Sequence, residues 1–169
     1  MLNFKEKRMI QKIAHYQDSG IDLGDREEIA QLLVCTLGSH FVLFTKTLQF
    51  HWNVRGMSFG PLHALFEEGY SMLYNSVDSI AERIVQLGFL APGSLSELKE
   101  ASTIEDQLTK NISAEEMLKI LRHDLIVLSR DMRKIAEKTA EKDSATNNKI
   151  ADLLEGIEKY LWKIQSHLL

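Results

Sequence analysis

The sequence of 169 residues is poor in residues that interrupt helices or cross-link chains, with one cysteine, two prolines and nine glycines. A single cysteine excludes an intrachain disulfide, and the apolar stretch around Cys35 favours a buried structural thiol over a reactive one. Pro61 and Pro92 lie near the ends of periodic apolar stretches, so no predicted helix is interrupted in its interior. These scarcities favour an all-helical chain.

Long apolar runs are also scarce. Charged residues break every apolar stretch before about 18 residues, so no transmembrane helix is predicted. The opening Met-Leu-Asn-Phe-Lys-Glu-Lys-Arg lacks the apolar core of a secretory signal, which favours a cytoplasmic protein without membrane contact. A hydrophobic content of 44% in a chain of this length supports one buried core. We predict a helical domain over residues 25–169, preceded by a basic arm and a loop over residues 1–24.

Charge is unevenly distributed along the chain. The net charge is −4, but the first 17 residues carry +3, from Lys5, Lys7, Arg8 and Lys12 against Glu6. A basic amphipathic arm can contact DNA or an anionic surface. Four cations make a weak electrostatic footprint, and the solvated face of a helix is the commoner explanation of such a pattern.

Helical periodicity predicts two long helices in the first half of the domain. Asp25 with Glu28 resembles a capping box and is expected to start a helix of roughly 28 residues that continues to about Val54. The segment around Gly56 is expected to turn, and Ser58 can cap a second long helix. This second helix is expected to end at Gly88.

The second half predicts a short helix and two further long ones. The motif Ser94-Leu-Ser-Glu97 is a capping box for a short helix at Leu95–Ala101, and Ser113 with Glu116 opens the third long helix. The fourth begins at residue 143 or 144. Four long helices with one long connection predict an antiparallel four-helix bundle of ferritin-like type, with the short helix in the crossover.

Ligand-type side chains concentrate on the second helix and at the end of the first. His63 and Asp78 lie 15 positions apart on one helix, which is ~22 Å along its axis and too far for a shared coordination sphere. His51 can join His63 across the turn. If these residues form a site, a second copy of the chain must complete it. The candidate metal ligands are His51, His63, Glu67, Asp78 and Glu82.

The second helix carries a second stripe, roughly 120° away from its core-facing side. His63 and Glu82 are centred between residues 72 and 73, and so are Glu67 and Asp78. An antiparallel copy crossing at that point would bring opposite ends together and create two equivalent sites per dimer. The stripe consists of His63, Glu67, Tyr70, Tyr74, Asp78 and Glu82.

Two imidazoles and three carboxylates suit an iron-like divalent ion, with zinc and manganese as competitors. Each residue alone is better explained as solvated surface or local packing, whereas five together in a symmetric arrangement favour a metal site. No Glu-x-x-His pair of conventional di-iron bundles occurs. Trp52 beside the site is expected to be a packing residue or to intercept radicals, and Trp162 is expected in the core.

Three motifs resemble the Dps family, the miniferritins: Phe50-His-Trp-Asn-Val-Arg-Gly, Leu62-His-x-x-Phe-Glu-Glu and Asp78-x-Ile-Ala-Glu-Arg-Ile-x-x-Leu-Gly. The resemblance implies a four-helix subunit that assembles as a hollow dodecamer. It implies a ferroxidase centre for two iron ions at the dimer interface, which oxidises Fe(II), preferably with hydrogen peroxide, and an interior that stores ferric mineral. Its ligands would be His51, His63 and Glu67 from one subunit with Asp78 and Glu82 from another.

The resemblance also carries alternatives. Many family members bind DNA through a longer, lysine-rich tail, so a nucleoid-compacting assembly with secondary metal binding is the alternative function. A helical scaffold with a structural metal at the dimer interface is a third.

Family members tend to have two aspartates at a three-fold pore near the start of the last helix. Asp143 matches the first, Asn148 occupies the position of the second, and Asp152 is a possible substitute.

Overall fold

The computed structural model describes residues 10–14 and 19–169. Four long helices form the bundle and a short one lies in the crossover between the second and the third, which confirms the predicted all-α architecture. The helices are α1 Leu23–Asn53, α2 Phe59–Gln86, α3 Leu95–Ala101, α4 Ala114–Thr139 and α5 Ser144–Ser166.

The two predicted capping boxes in the second half are confirmed. Ser94 Oγ accepts a hydrogen bond from Glu97 N at 3.2 Å while Glu97 Oε2 accepts one from Ser94 N at 3.2 Å. Ser113 and Glu116 make the same reciprocal pair at the start of α4. These motifs satisfy free backbone donors within four residues, so sequence alone is enough to place them.

The predicted capping box at Asp25 and Glu28 is wrong. The helix begins at Leu23, because Arg26 N already donates to Asp22 O at 3.0 Å. The pKa of the Glu28 carboxyl is lowered, chiefly by a hydrogen bond from Lys138 and to a smaller degree by one from Lys142. Glu28 therefore joins α1 to the end of α4 and does not cap α1.

The ends of α2 and α4 follow from local backbone hydrogen bonds. Gly88, one residue beyond the C-cap Leu87 of α2, adopts φ +94°, as expected for the predicted stop. Helix α4 ends at Thr139, short of the predicted end near Lys142, because Lys142 N and Asp143 N both turn back to Thr139 O, at 3.1 and 2.9 Å.

A two-stranded antiparallel ribbon was not predicted. Strand β1, Gln11–Lys12, pairs with β2, Phe89–Leu90, and Ile13 N donates to Gly88 O at 2.9 Å. Two-residue strands have no side-chain period that a sequence could reveal. The predicted basic arm therefore contacts the start of the crossover through Lys12, while its other cations, Lys5, Lys7 and Arg8, lie outside the described residues.

Helix α1 is more apolar than expected. An 18-residue window reaches a mean hydropathy of 1.4, enough by length and composition to cross a membrane, but 72% of that window is buried inside the fold. The expectation that no apolar stretch reaches this length was wrong, and the burial identifies α1 as the core helix.

Two predictions about tryptophans are corrected. Trp52 is 68% exposed and Trp162 is 61% exposed in the single chain, so neither packs into the bundle core. Periodicity cannot separate a core face from a face that remains uncovered in one subunit.

Cys35 is half-buried, and burial raises the pKa of its thiol to about 11, in agreement with a structural role.

His40 is a fully buried polar residue of α1. Its Nδ1 donates to Thr36 O at 2.9 Å, and Nε2 has no hydrogen-bond partner among the described residues. Burial lowers the pKa of His40 to about 4. The imidazole is therefore neutral at physiological pH.

A glycine lets α5 approach α2 beside the candidate ligands. Gly69 lies between Glu67 and Tyr70, and a Cβ at this position would overlap the hydroxyl and ring of Tyr160. Tyr160 is 2% exposed. The absence of a side chain at Gly69 therefore sets the distance between the two helices.

Substituting Gly69→Ala should destabilise the protein. Overpacking typically costs about 1–3 kcal/mol, and the overlap with Tyr160 should outweigh the gain in helix propensity of about 1 kcal/mol. Gly60→Ala, also in α2, is the matched control because its Cβ would meet nothing within 4 Å. Guanidinium chloride midpoints at one protein concentration measure the effect; equal midpoints for the two variants would contradict this packing.

The neutral His40 should make the fold sensitive to acid. Its pKa is 6.5 in the unfolded chain and about 4 in the folded one, so its stabilising contribution is fully present above pH 6.5. It is lost as pH falls towards 4, by roughly 3 kcal/mol. His40→Leu should lose less stability than the parent protein between pH 7 and pH 4.5. Parallel unfolding midpoints across this range would disprove the assignment.

Candidate metal centre

The structure divides the five candidate ligands into two groups. His51 lies near the end of α1, and His63 and Glu67 lie in the first half of α2, whereas Asp78 and Glu82 lie in its second half. In the described part of the chain, no group of three or more His, Cys, Asp or Glu side chains could hold a metal ion. Within the single chain, the five candidate ligands therefore do not come together in one group.

A tight turn brings His51 back beside His63. Gly56 adopts φ +104°, in the left-handed region that favours glycine. Phe59 N donates to Gly56 O at 3.0 Å, which closes the turn and starts α2. Because α1 ends at Asn53, the reversal places the last turn of one helix against the first turns of the next.

The two histidines hold each other in place. His51 Nδ1 donates to His63 O and His63 Nδ1 donates to His51 O, both at 2.9 Å. Their ring centroids are 3.7 Å apart with an interplanar angle of 22°. Since a carbonyl oxygen only accepts, both Nδ1 atoms carry hydrogen, and Nε2 is the ring nitrogen that can offer a lone pair to a ligand.

This stacking favours one ion on each histidine. A metal ion lies in the plane of the imidazole that binds it, about 2.1 Å from the nitrogen. Two stacked rings whose centroids are 3.7 Å apart do not share a plane in which one ion could bind both at that distance. The pair therefore offers two separate ligation points, as a two-metal site requires.

Aromatic rings surround the histidine pair. Phe59 stacks on His63 with centroids 4.9 Å apart, and Tyr70 meets His51 edge-on at 5.1 Å. Tyr70 belonged to the predicted stripe, whereas Phe59 was missed because the sequence places it at the edge of a turn. Its spacing of four residues from His63 was the available signal.

The rest of the stripe lies on the surface of the single chain. Glu67, Asp78 and Glu82 are exposed, and their carboxylates make no ion pair with any described residue. Tyr74 is 61% exposed and packs on Phe44 with centroids 5.8 Å apart. An aromatic centre flanked by unpaired carboxylates is the surface expected of a helix that meets another subunit.

The segment that bears Asp78 and Glu82 is fixed from behind by α5. The residue after Asp78, Ser79, accepts a hydrogen bond from Lys149 Nζ at 2.6 Å. The residue after Glu82, Arg83, donates to Thr146 Oγ1 at 2.8 Å and to Asp143 Oδ2 at 2.7 Å. Both candidate carboxylates therefore project from a stretch of helix that is held at two points.

Asp143, which matches a pore position in the resemblance, caps α5 in this structure. It is 4% exposed and accepts from Thr146 N at 3.0 Å. Burial acts to raise the pKa of Asp143, but hydrogen bonds from Thr146 and Arg83 outweigh it and the pKa is lowered. Its carboxylate is thus already occupied by Arg83 and Thr146. Asn148 and Asp152 are exposed.

Comparison with known proteins gives consistent matches over most of the chain. The family described as ferritin-like domain matches residues 30–169. The DNA protection during starvation protein of Brevibacillus brevis is 30% identical over 141 residues, covering 83% of this chain and 94% of that protein. The corresponding protein of Helicobacter pylori J99 is 33% identical over 129 residues, covering 75% and 89%.

The fold is shared with solved structures. The Dps protein from Vibrio cholerae O1, described as a member of a broad superfamily of ferritin-like diiron-carboxylate proteins, superposes with a TM-score of 0.84 at 29% identity. The match covers 88% of this chain and 94% of that one. This agreement supports the ferritin-like fold class predicted from the sequence.

Tyr74→Arg should weaken association through the stripe. In an antiparallel crossing centred between residues 72 and 73, the two copies of residue 74 lie only ~4.5 Å apart along the helix axis. Like charges at an interface cost several kcal/mol, so the dissociation constant of the dimer should rise at least about tenfold. Sedimentation velocity measures it. Leu108→Arg, at a residue 73% exposed between α3 and α4, is the control; equal weakening by both would argue against the crossing.

Proposed function

Because the chain belongs to the Dps family of ferritin-like proteins, we propose that it is a ferroxidase and an iron-storage cage protein. It oxidises Fe(II), preferably with hydrogen peroxide, and stores the ferric product as a mineral inside the assembly. Removing both reactants protects the cytoplasm against oxidative damage. The family supports iron storage and oxidative protection in general. The geometry around His51 and His63 supports the binding of metal ions at this site.

One observation carries the proposal: the reciprocal hydrogen bonds of His51 and His63 leave both Nε2 atoms free. Metal-binding histidines characteristically donate their other ring N–H to a carbonyl or carboxylate, which fixes the tautomer and the direction of the lone pair. Here each backbone carbonyl serves the ring of the other histidine. The half-site is therefore organised before any ion arrives.

A second subunit completes the site in this proposal. Asp78 and Glu82 of the partner subunit meet His51, His63 and Glu67 across a two-fold axis, so each dimer has two centres. Homologous Dps proteins support homo-oligomeric assembly in general, and we propose a hollow dodecamer. Residues of the exposed stripe become buried when the subunits pair.

Two Fe(II) ions at one centre explain how peroxide is consumed without radicals. Reducing hydrogen peroxide to two water molecules takes two electrons and two protons, and each Fe(II) supplies one electron as it becomes Fe(III). A single ion would supply one electron and release a hydroxyl radical. The carboxylates of Glu67, Asp78 and Glu82 offset the added positive charge, and zinc or manganese compete for the same ligands.

DNA compaction is the alternative function, and its support lies in the basic arm. Lys12 is held in the β1 ribbon, and the remaining cations lie outside the described residues, so no observation here favours it. Deleting residues 1–17 separates the two functions: a compacting role requires the full-length protein to retard DNA at low salt and the deletion to abolish this. Iron oxidation should persist in the truncated protein.

His51→Ala and Asp78→Ala should each slow peroxide-driven oxidation of Fe(II) by roughly 100-fold, since loss of a ligand's hydrogen-bond partner already costs about 10- to 100-fold and the ligand itself is removed here. Co-assembly of the two inactive variants in equal amounts should restore about a quarter of the parent activity. Half of the dimers are then mixed, and one of their two sites combines the intact residues. Stopped-flow absorbance of ferric product measures the rates.

A mixture of His51→Ala with His63→Ala is the matched control. Both residues belong to the same half-site, so no pairing of these two subunits produces an intact centre, and no activity should return. Recovery in this control, or no recovery in mixed dimers of His51→Ala with Asp78→Ala, would contradict a shared site.

A further inference from the structure

Phe59 is the first residue of α2 and lies one helical turn before His63. Its ring stacks on the ring of His63, with centroids 4.9 Å apart and an interplanar angle of 29°. Together the rings form a continuous stack in the order Phe59, His63, His51. Phe59 remains 47% exposed, so the protein retains a large apolar side chain at a half-open position.

The two histidines differ in what holds them. The His51 ring has His63 on one face and the edge of Tyr70 at 5.1 Å. Among the described residues, the His63 ring makes ring contacts with His51 and with Phe59. The hydrogen bond from His63 Nδ1 to His51 O fixes one ring atom, which leaves the ring free to tilt about that bond unless both faces are covered.

We propose that Phe59 is a positioning residue for His63, and that its ring fixes the plane in which the free Nε2 lone pair points. The inference rests on the proposed function only for the identity of the bound ion. Phe59 touches neither the ion nor the oxidant and acts through the imidazole.

The size of the effect follows from the strength of one aromatic contact. Such pairs contribute a modest free energy beyond area burial, equivalent to about a threefold to tenfold change in an equilibrium constant. Removing the ring should therefore weaken ion binding by about that factor. Since the ligand itself remains, the affected quantity should be KM for Fe(II), with kcat changed much less.

The test uses the assembled protein and Co(II), whose visible absorption reports coordination without an oxidant. Phe59→Leu keeps an apolar side chain but removes the ring, and should raise the dissociation constant of Co(II) about threefold to tenfold. Phe59→Tyr keeps the ring face and should bind as the parent protein does. Met57→Ala, at a fully exposed neighbouring residue, is the control for changes in the turn and should also bind as the parent does.

A metal-free crystal structure of Phe59→Leu separates this inference from the proposed function. We expect the His63 ring to rotate and its hydrogen bond to His51 O to lengthen or break. An unmoved His63 ring, or Phe59→Leu binding Co(II) as tightly as Phe59→Tyr, would overturn the inference. If the parent protein binds no Co(II), the proposed function fails, while the position of His63 in the two crystal structures still decides the role of Phe59.

Discussion

The pair of hydrogen bonds that crosses between His51 and His63 is the interaction on which the candidate centre depends. Each backbone carbonyl lies on one helix and accepts from the side chain of the other, so α1 and α2 cannot slide without breaking both bonds. The same contacts determine which ring nitrogen is free. The same two hydrogen bonds therefore set both the register of the helices and the ring nitrogen that is available to a ligand. Gly56, in the left-handed conformation, allows the sharp reversal that brings the two histidines together.

The length and stiffness of α2 impose the second constraint. A helix that carries ligands at both ends cannot fold them into one centre, and the contacts of Ser79 and Arg83 with α5 further prevent bending at the carboxylate end. Close packing at Gly69 holds the middle of the helix against Tyr160. The subunit is thus rigid where its candidate ligands project, and in the proposed centre a second subunit completes the site.

Sequence predicted those features that depend on neighbouring residues along the chain. The capping box at Ser94 is satisfied within four residues, and the ligand stripe follows directly from helical geometry. Features decided by distant contacts were missed: the ribbon between residues 11–12 and 89–90, and the exposure of Trp52 and Trp162. The stacking of Phe59 on His63 was also missed, although the predicted cap at Ser58 already placed Phe59 one helical turn before His63.

The exposed stripe also has a consequence for gene dosage. In the proposed arrangement a subunit on its own carries half a centre and leaves an aromatic surface in water, so the fraction of complete centres follows from mass action on subunit concentration. At low expression the proposed chemistry is silent, and a rise in synthesis increases both the number of chains and the share of them that is paired. In that arrangement, activity grows faster than the amount of protein as long as part of the chains is unpaired.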